Sequence, residues 1–298
     1  MRYQTAPRPV RKIIAISAGA NKSDYALTMH WSTFARPEIL APFFFLVGLE
    51  LRSELTHIRQ IALPSFAALG GMAVPALIYL LREPHHRDGW PIVAPTDVAL
   101  VMASALILGK RISPALKVFL LALAVADDLF SLIIVAAKYS SAIQISELLC
   151  TLGAVAVGAA LPTFKGEVKL TALVNYFLLP IYVIANFAPL LTSPTSLWGS
   201  HLSLSVALSR SIGKPLGIFL FLLIASSFPK IFGARSISLP ESIIGGALAG
   251  MGLAVSLVIT QFTFGQSLTA AESKAGLVMT IPLSLLMCLA AGAVFKKR

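Results

Sequence analysis

The sequence has few charges and few cysteines for its length. Charged residues make up 12% of the 298 residues, whereas hydrophobic residues make up 57%. No soluble globular protein needs so large an apolar share to fill its core. The two cysteines, Cys150 and Cys288, lie far apart in apolar runs, so a disulfide framework or a metal site has no support. The composition therefore predicts an all-α polytopic membrane protein.

The charges that are present are mostly basic, giving a formal net charge of +11. In a membrane protein such an excess usually lies in cytoplasmic loops and sets the topology, so we expect the lipid bilayer and no nucleic acid as a partner. Residues 1–36 differ from the rest because they are rich in Lys and Arg and their longest apolar run, from Ile13 to Ala20, is too short to span a bilayer. We predict an N-terminal basic extramembrane arm over 1–36 and a transmembrane domain over 37–298.

A window of about 20 residues, the length that crosses the hydrocarbon core, finds about nine transmembrane segments. They are 38–51, 61–81, 91–109, 114–138, 143–162, 170–191, 201–228, 243–265 and 274–295. The basic loops alternate as the positive-inside rule requires if the basic C-terminus is cytoplasmic. Nine spans then place the basic arm outside, so either one N-terminal helix is missing or one marginal segment does not span.

Two adjacent carboxylates, Asp127 and Asp128, are the only charges between Val118 and Ala137. A charged aspartate at the centre of a spanning helix costs roughly 2.5–3.5 kcal/mol on insertion scales, which indicates a site that binds a cation or carries protons. Adjacent helix positions are rotated by about 100°, so the two side chains have different surroundings. Because like charges this close disfavour ionisation of both, a proton competes with a metal cation for the pair. The alternative is a pair satisfied by structural salt bridges.

Two of the apolar segments contain predicted interruptions. Pro95-Thr96-Asp97 removes a backbone donor and supplies side chains that bond freed backbone groups, although a plain proline kink with a capping Asp is the alternative. The glycines between Gly245 and Gly252 indicate either a second interruption or a helix-packing face. Each interrupted segment is the middle of a helix triplet, 61–138 or 201–295, and this correspondence is typical of an inverted-repeat transporter.

Lys214 lies about a dozen residues inside its segment, too deep for its ammonium to reach the interface easily. A buried ammonium needs a counter-ion, so we predict that Lys214 pairs with Asp127 or compensates the ends of the interrupted helices. Arg210, one turn earlier, is the alternative partner.

At these residues the chain resembles the NhaA family of sodium/proton antiporters. The matching stretches are FFFLVGLELRSEL (43–55), ALGGMAVPALIYL (68–80), the run from Pro95 to Ala136, IGKPLGIFLF (212–221) and GALAGMGLAVSLVI (246–259). The resemblance implies inverted helix triplets with two broken, crossing transmembrane helices, and exchange of Na⁺ or Li⁺ for H⁺ across the bacterial inner membrane. Sodium and pH homeostasis follow as its role.

The resemblance also assigns roles to single residues. Asp127 and Asp128 match the family's cation- and proton-binding aspartates, and Thr96 and Asp97 match its broken-helix Thr-Asp pair. Lys214 matches the lysine that pairs with the first aspartate of the tandem. Glu50 matches the glutamate at the cytoplasmic funnel that takes part in pH sensing.

The chain departs from the family by its length. Members usually have twelve spanning helices with a helix and a β-hairpin before FFFLVGLE, which residues 1–36 do not supply, and about two central helices are missing between Asp128 and the stretch 175–190. The hairpin mediates dimerisation in the family, so a homodimer is doubtful. We therefore predict a shortened member lacking its first helix and about two central helices.

We expect no enzyme activity and no cofactor, because competition of Na⁺ and H⁺ for shared carboxylates needs neither. One alternative is a degenerate, non-transporting antiporter homologue that has lost scaffold helices. Another is intramembrane aspartyl proteolysis by Asp97 and Asp128, which the absence of a Gly-x-Gly-Asp setting disfavours.

Overall fold

The computed structural model describes residues 37–55, 58–97, 100–101, 112–139, 145–162, 166–191, 195–232 and 237–295, so the predicted arm 1–36 lies outside it. These ranges form helices and contain no strand. In chain order the α-helices of at least 7 residues are α1 (Ala41–Leu55), α2 (Ile58–Arg82), α3 (Pro114–Tyr139), α4 (Ile145–Ala160), α5 (Glu167–Leu173), α6 (Leu179–Leu191), α7 (His201–Ser226), α8 (Leu239–Ala249), α9 (Ala254–Phe264) and α10 (Leu268–Phe295). A π-helical turn, Val174–Leu178, joins α5 to α6.

The helices have the lengths and outward faces of membrane spans. Five of the described stretches are long and apolar enough to cross a bilayer: α2, α3, α5 with α6, α7 and α10. The bent pair α8 and α9 is a sixth if it counts as one span. Large apolar side chains point outward, with Leu81 75% and Val118 69% exposed. The prediction of an all-α polytopic membrane protein is therefore confirmed.

Two of the other predicted segments form helices too short to span a bilayer, and a third is only partly described. Segment 38–51 corresponds to α1, of 15 residues, and segment 143–162 to α4, of 16 residues, and both are shorter than a full span. Segment 91–109 is described only to Asp97 and at 100–101. Helix α10 begins at Leu268, six residues before the predicted 274–295, because its polar first turns continue the helix outside the apolar window.

Serine side chains cap the starts of four helices, among them Ser267 at the start of α10. The hydroxyls of Ser113 and Ser200 accept hydrogen bonds from backbone N–H groups three residues on, at the starts of α3 and α7. Ser238 and Glu241 form a reciprocal capping box at the start of α8. These caps satisfy donors that have no partner inside a helix, and they define where the spans begin.

The core is built on α2 and α7, the first helices of the two predicted triplets, which pack side by side. The contact is close because glycines face each other: a Cβ added at Gly217 would lie 2.7 Å from the carbonyl carbon of Gly70. The two helices are antiparallel, since Arg82 at the end of α2 donates to Ser205 near the start of α7. Helix α7 also packs on α8 and α10, and α2 on α3.

Both predicted interruptions are present in the core. The chain before Asp97 is a 3₁₀ helix, Arg87–Val93, followed by four non-helical residues. Helix α8 ends at Ala249 and α9 starts at Ala254, with a bend of 49° between them. The glycine-rich stretch is therefore an interruption, although its glycines also allow close packing. The interruptions cross at Gly252, where an added Cβ would lie 2.6 Å from the backbone nitrogen of Asp97.

Candidate functional site

The site lies where the two interruptions meet α3 and α7. Five of the six predicted site residues are buried there, with exposed fractions of 2% or less, and the sixth, Glu50, is half-buried on α1. The buried five are Thr96, Asp97, Asp127, Asp128 and Lys214. Burying five ionisable or hydroxyl side chains away from water costs free energy unless they form hydrogen bonds or ion pairs with one another. Their contacts therefore decide what the site can do.

Asp97 lies at the start of two helical segments. Its Oδ1 accepts from the backbone N–H of Leu100 at 3.3 Å, and its Oδ2 accepts from that of Ala254, the first residue of α9, at 3.4 Å. Unpaired N–H groups give a helix start a partial positive charge, which a carboxylate stabilises. The Asp97 side chain thereby caps the helical segments that follow both interruptions.

Lys214 and Asp127 form a buried ion pair. The Lys214 Nζ lies 2.5 Å from Oδ2 of Asp127, and both side chains are about fully buried. The ammonium also donates to the Thr96 hydroxyl at 2.5 Å, and this hydroxyl in turn donates to the same Asp127 oxygen. The sequence left open whether Lys214 pairs with Asp127 or compensates the ends of the interrupted helices. In the structure Lys214 pairs with Asp127.

Asp128 has surroundings opposite to those of its neighbour. Neither of its carboxylate oxygens has a hydrogen-bond partner among the described residues, nor does Oδ1 of Asp127. The charges of Asp97, Glu50 and Asp127 all act on it. Three buried carboxylate oxygens thus lack a donor among the described residues, which suits a hard cation or a proton.

Apolar side chains close the space around Asp128. A narrow cavity with no room for a water molecule adjoins its side chain, and the other lining residues are Phe43, Phe44, Val47, Leu132 and Val255. Three of these belong to α1, which packs across α3 at this level. Asp128 is only 2% exposed and is therefore closed to water in this conformation.

Arg210 takes no part in the carboxylate contacts. Its guanidinium donates to backbone carbonyls at both interruptions and to the hydroxyl of Ser256 in α9. From the sequence we predict Arg210 only as an alternative partner for the acids, and we make no prediction for Ser256. The available signal was the spacing of Arg210 and Lys214, since positions four apart share one helix face.

Glu50 belongs to the helix whose side chains line the space beside Asp128. It lies on α1, one turn beyond Val47, and its charge reaches Asp128. Among the described residues, no three His, Cys, Asp or Glu side chains are grouped so as to hold a resident metal ion.

The chain matches a protein-family model and several curated relatives. A family model described as Na⁺/H⁺ antiporter 1 matches residues 7–167 and 160–291. The Na⁺/H⁺ antiporter NhaA of Cronobacter sakazakii is 33% identical over 285 aligned residues, covering 76% of this chain and 73% of the relative. The NhaA antiporters of Salmonella paratyphi A and Shigella dysenteriae are also 33% identical, over 76% of this chain and 74% of each relative.

The matches also show how this chain differs from its relatives. Alignment reaches only about three quarters of each relative, as expected for a shortened member. The two matched stretches meet at residues 160–167, within the interval where the sequence indicates missing central helices. The first match begins at residue 7 and so includes most of the segment 1–36.

Proposed function

The chain belongs to the Na⁺/H⁺ antiporter 1 family, and we propose that it exchanges Na⁺ or Li⁺ for H⁺ across the inner membrane, in the service of sodium and pH homeostasis. The contact between Lys214 and Asp127 carries this proposal, because it places a protein cation on a carboxylate beside the partnerless acid Asp128. A transported cation that binds both acids has to displace that ammonium, or the protons that neutralise the pair.

Exchange follows from this competition. Na⁺ entering from one side displaces protons from Asp127 and Asp128, and protons entering from the other side later displace Na⁺. The Thr96 hydroxyl touches Asp127 and Lys214 together, so it is a candidate ligand when the ammonium leaves. Asp97 holds the two helical starts in place, and Glu50 is the candidate for pH sensing because its charge reaches Asp128.

Access to the site requires a conformational change. The closed state seals Asp128 behind Phe43, Phe44 and Val47, so neither aqueous phase reaches it. Such a state prevents Na⁺ and H⁺ from leaking past each other while the site changes sides. We expect α1 to move away from α3 when the site opens, and we expect the triplets 61–138 and 201–295 to be the inverted repeats that move against it.

The degenerate, non-transporting homologue remains a second candidate, favoured by the quarter of each relative that the alignment does not reach. Lost scaffold helices leave the site residues in place and remove the support for motion. The two candidates differ in growth: an antiporter restores growth of an antiporter-deficient strain in high Na⁺ or Li⁺ at alkaline pH.

Transport itself is tested in everted membrane vesicles that hold a pH gradient. Addition of Na⁺ or Li⁺ should dissipate the gradient when the wild-type chain is present, and choline at the same concentration should not. If the chain inserts stably but neither ion dissipates the gradient and growth is not restored, the non-transporting homologue is the correct description.

A further inference from the structure

Arg210 is a buried side chain of the core in which every side-chain donor is engaged. It is 0% exposed, and its guanidinium donates five hydrogen bonds of 2.5–3.2 Å. Its acceptors are the carbonyls of Ile92 and Pro95 at the first interruption, those of Gly250 and Gly252 at the second, and the hydroxyl of Ser256. A guanidinium has five N–H donors, so each one has an acceptor.

These carbonyls need a cation of this shape. Where a helix stops inside a bilayer, its last carbonyls have no backbone donor and carry a partial negative charge. Two such ends meet at the crossing. An ammonium has three donors on one atom and cannot satisfy the four carbonyls of the two chain segments, whereas the planar fork of Arg210 reaches all of them.

Lys214 has a separate set of partners. Its ammonium donates to Thr96 and to Asp127, and neither accepts from Arg210. We propose that Arg210 is a positioning residue, a fixed cation that holds the carbonyl ends of both interrupted helices. Lys214 is thereby left free to leave Asp127 when a transported cation arrives. This inference deepens the proposed function, since a releasable lysine has a use only where a cation competes for its partner.

The division between the two cations has a direct consequence. If Lys214 also held the helix ends, each release from Asp127 would disturb the geometry of the site at the moment of binding. With Arg210 in place, the crossing keeps its shape whether Lys214 is bound or released. Removal of the Lys214–Asp127 pair should therefore leave the fold intact, whereas loss of the Arg210 fork should not.

Thermal unfolding of the purified chain in detergent tests this division without any transport. Two variants are compared with wild type: R210K, which keeps the charge and loses the fork, and D127N/K214Q, which removes both members of the ion pair and leaves no unpaired charge. We expect the midpoint of D127N/K214Q to stay within about 4 °C of wild type. We expect R210K to fall well below it, and the three changes together to give the sum of the two shifts.

Two matched controls account for the substitutions themselves. R82K alters another arginine that donates to a serine of α7, away from the interruptions, and K274Q alters a partly buried lysine outside the crossing. Both should shift the midpoint less than R210K does. If R210K fails to accumulate while D127N/K214Q accumulates normally, the division is supported as well. An R210K midpoint like that of R82K, or a fall in D127N/K214Q as large as that in R210K, overturns it.

A transport measurement separates positioning from cation binding. In everted vesicles R210K should lower the maximal rate of Na⁺-dependent exchange and leave the apparent KM for Na⁺ within about twofold, since Arg210 touches no carboxylate. A large change in KM at an unaltered maximal rate overturns the positioning role. If wild type does not transport, the proposed function fails and the unfolding comparison alone decides the role of Arg210.

Discussion

Asp127 and Asp128 are neighbours in the sequence and opposites in their contacts: Lys214 lies 2.5 Å from Oδ2 of Asp127, whereas Asp128 has no hydrogen-bond partner among the described residues. The rotation of about 100° between successive helix positions separates them. The first acid is held by the protein itself, and the second faces the apolar closure formed by α1. The pair therefore combines a carboxylate held by a protein cation with one that has no hydrogen-bond partner among the described residues.

The two acids should respond differently to neutralisation. D127N leaves the buried Lys214 ammonium without its counter-ion, and such a broken pair costs about 3–5 kcal/mol. D128N removes a buried charge that has no partner, so it should leave stability unchanged or raise it. The midpoint of thermal unfolding in detergent, measured without Na⁺, checks this order. Equal losses in the two variants would show that Asp128 has a partner of its own.

The double cap by Asp97 predicts a graded effect of substitution. Asn keeps only one of the two accepting oxygens, so D97N should retain one cap and lose the other. D97A removes both caps, each worth about 1 kcal/mol, and should lower the unfolding midpoint further than D97N does. Thermal unfolding of the two variants side by side measures the difference. Identical midpoints would mean that Asp97 stabilises the crossing by some other contact.

The close approach of the two interruptions leaves no room for a side chain at Gly252. G252A should destabilise the chain by about 1–3 kcal/mol and reduce Na⁺-dependent exchange, because the new methyl group meets the backbone of Thr96 and Asp97. G153A on α4 is the control, since an added Cβ there meets nothing within 4 Å. Both are compared by unfolding midpoint and by exchange in vesicles. A G252A protein as active and stable as G153A would contradict the crossing.

The aromatic closure over Asp128 predicts which side chain controls access. In a chain carrying D128C with both native cysteines replaced by alanine, a water-soluble maleimide should react slowly because Phe44 and its neighbours exclude water. F44A should speed the reaction, and F130A, which lies on α3 outside the cavity lining, should not. Labelling rates followed by mass spectrometry give the comparison. Fast labelling without F44A would mean that the cavity is already open to water.

The sequence predicts the interruptions well because their causes are local. Pro95 lacks a backbone donor, and Thr96 and Asp97 supply side chains that satisfy freed groups, so an apolar segment with this tripeptide is a poor continuous helix. The glycines from Gly245 to Gly252 left two alternatives, and the bend at the end of α8 decides between them. The placement of Lys214 on Asp127 was also among the expected contacts.

The sequence does not predict what Arg210 binds. Arg210 and Lys214 lie four residues apart on one face of α7, and either reaches the crossing by spacing alone. Only the fold brings the carbonyls of two distant segments to Arg210. The closure over Asp128 was hidden for the same reason, because Phe44 and Asp128 meet through the packing of α1 on α3 and not through any local pattern.

The central claim is that Na⁺ and H⁺ compete for the carboxylate of Asp128. The most direct measurement compares wild type, D128N and D88N for dissipation of a pH gradient in everted vesicles at matched amounts of inserted protein. Asp88 is a surface acid whose side chain is 86% exposed, so D88N controls for the loss of a carboxylate as such. The account predicts that Na⁺ and Li⁺ dissipate the gradient with wild type and D88N and have no effect with D128N. Dissipation by D128N equal to that of wild type would contradict it.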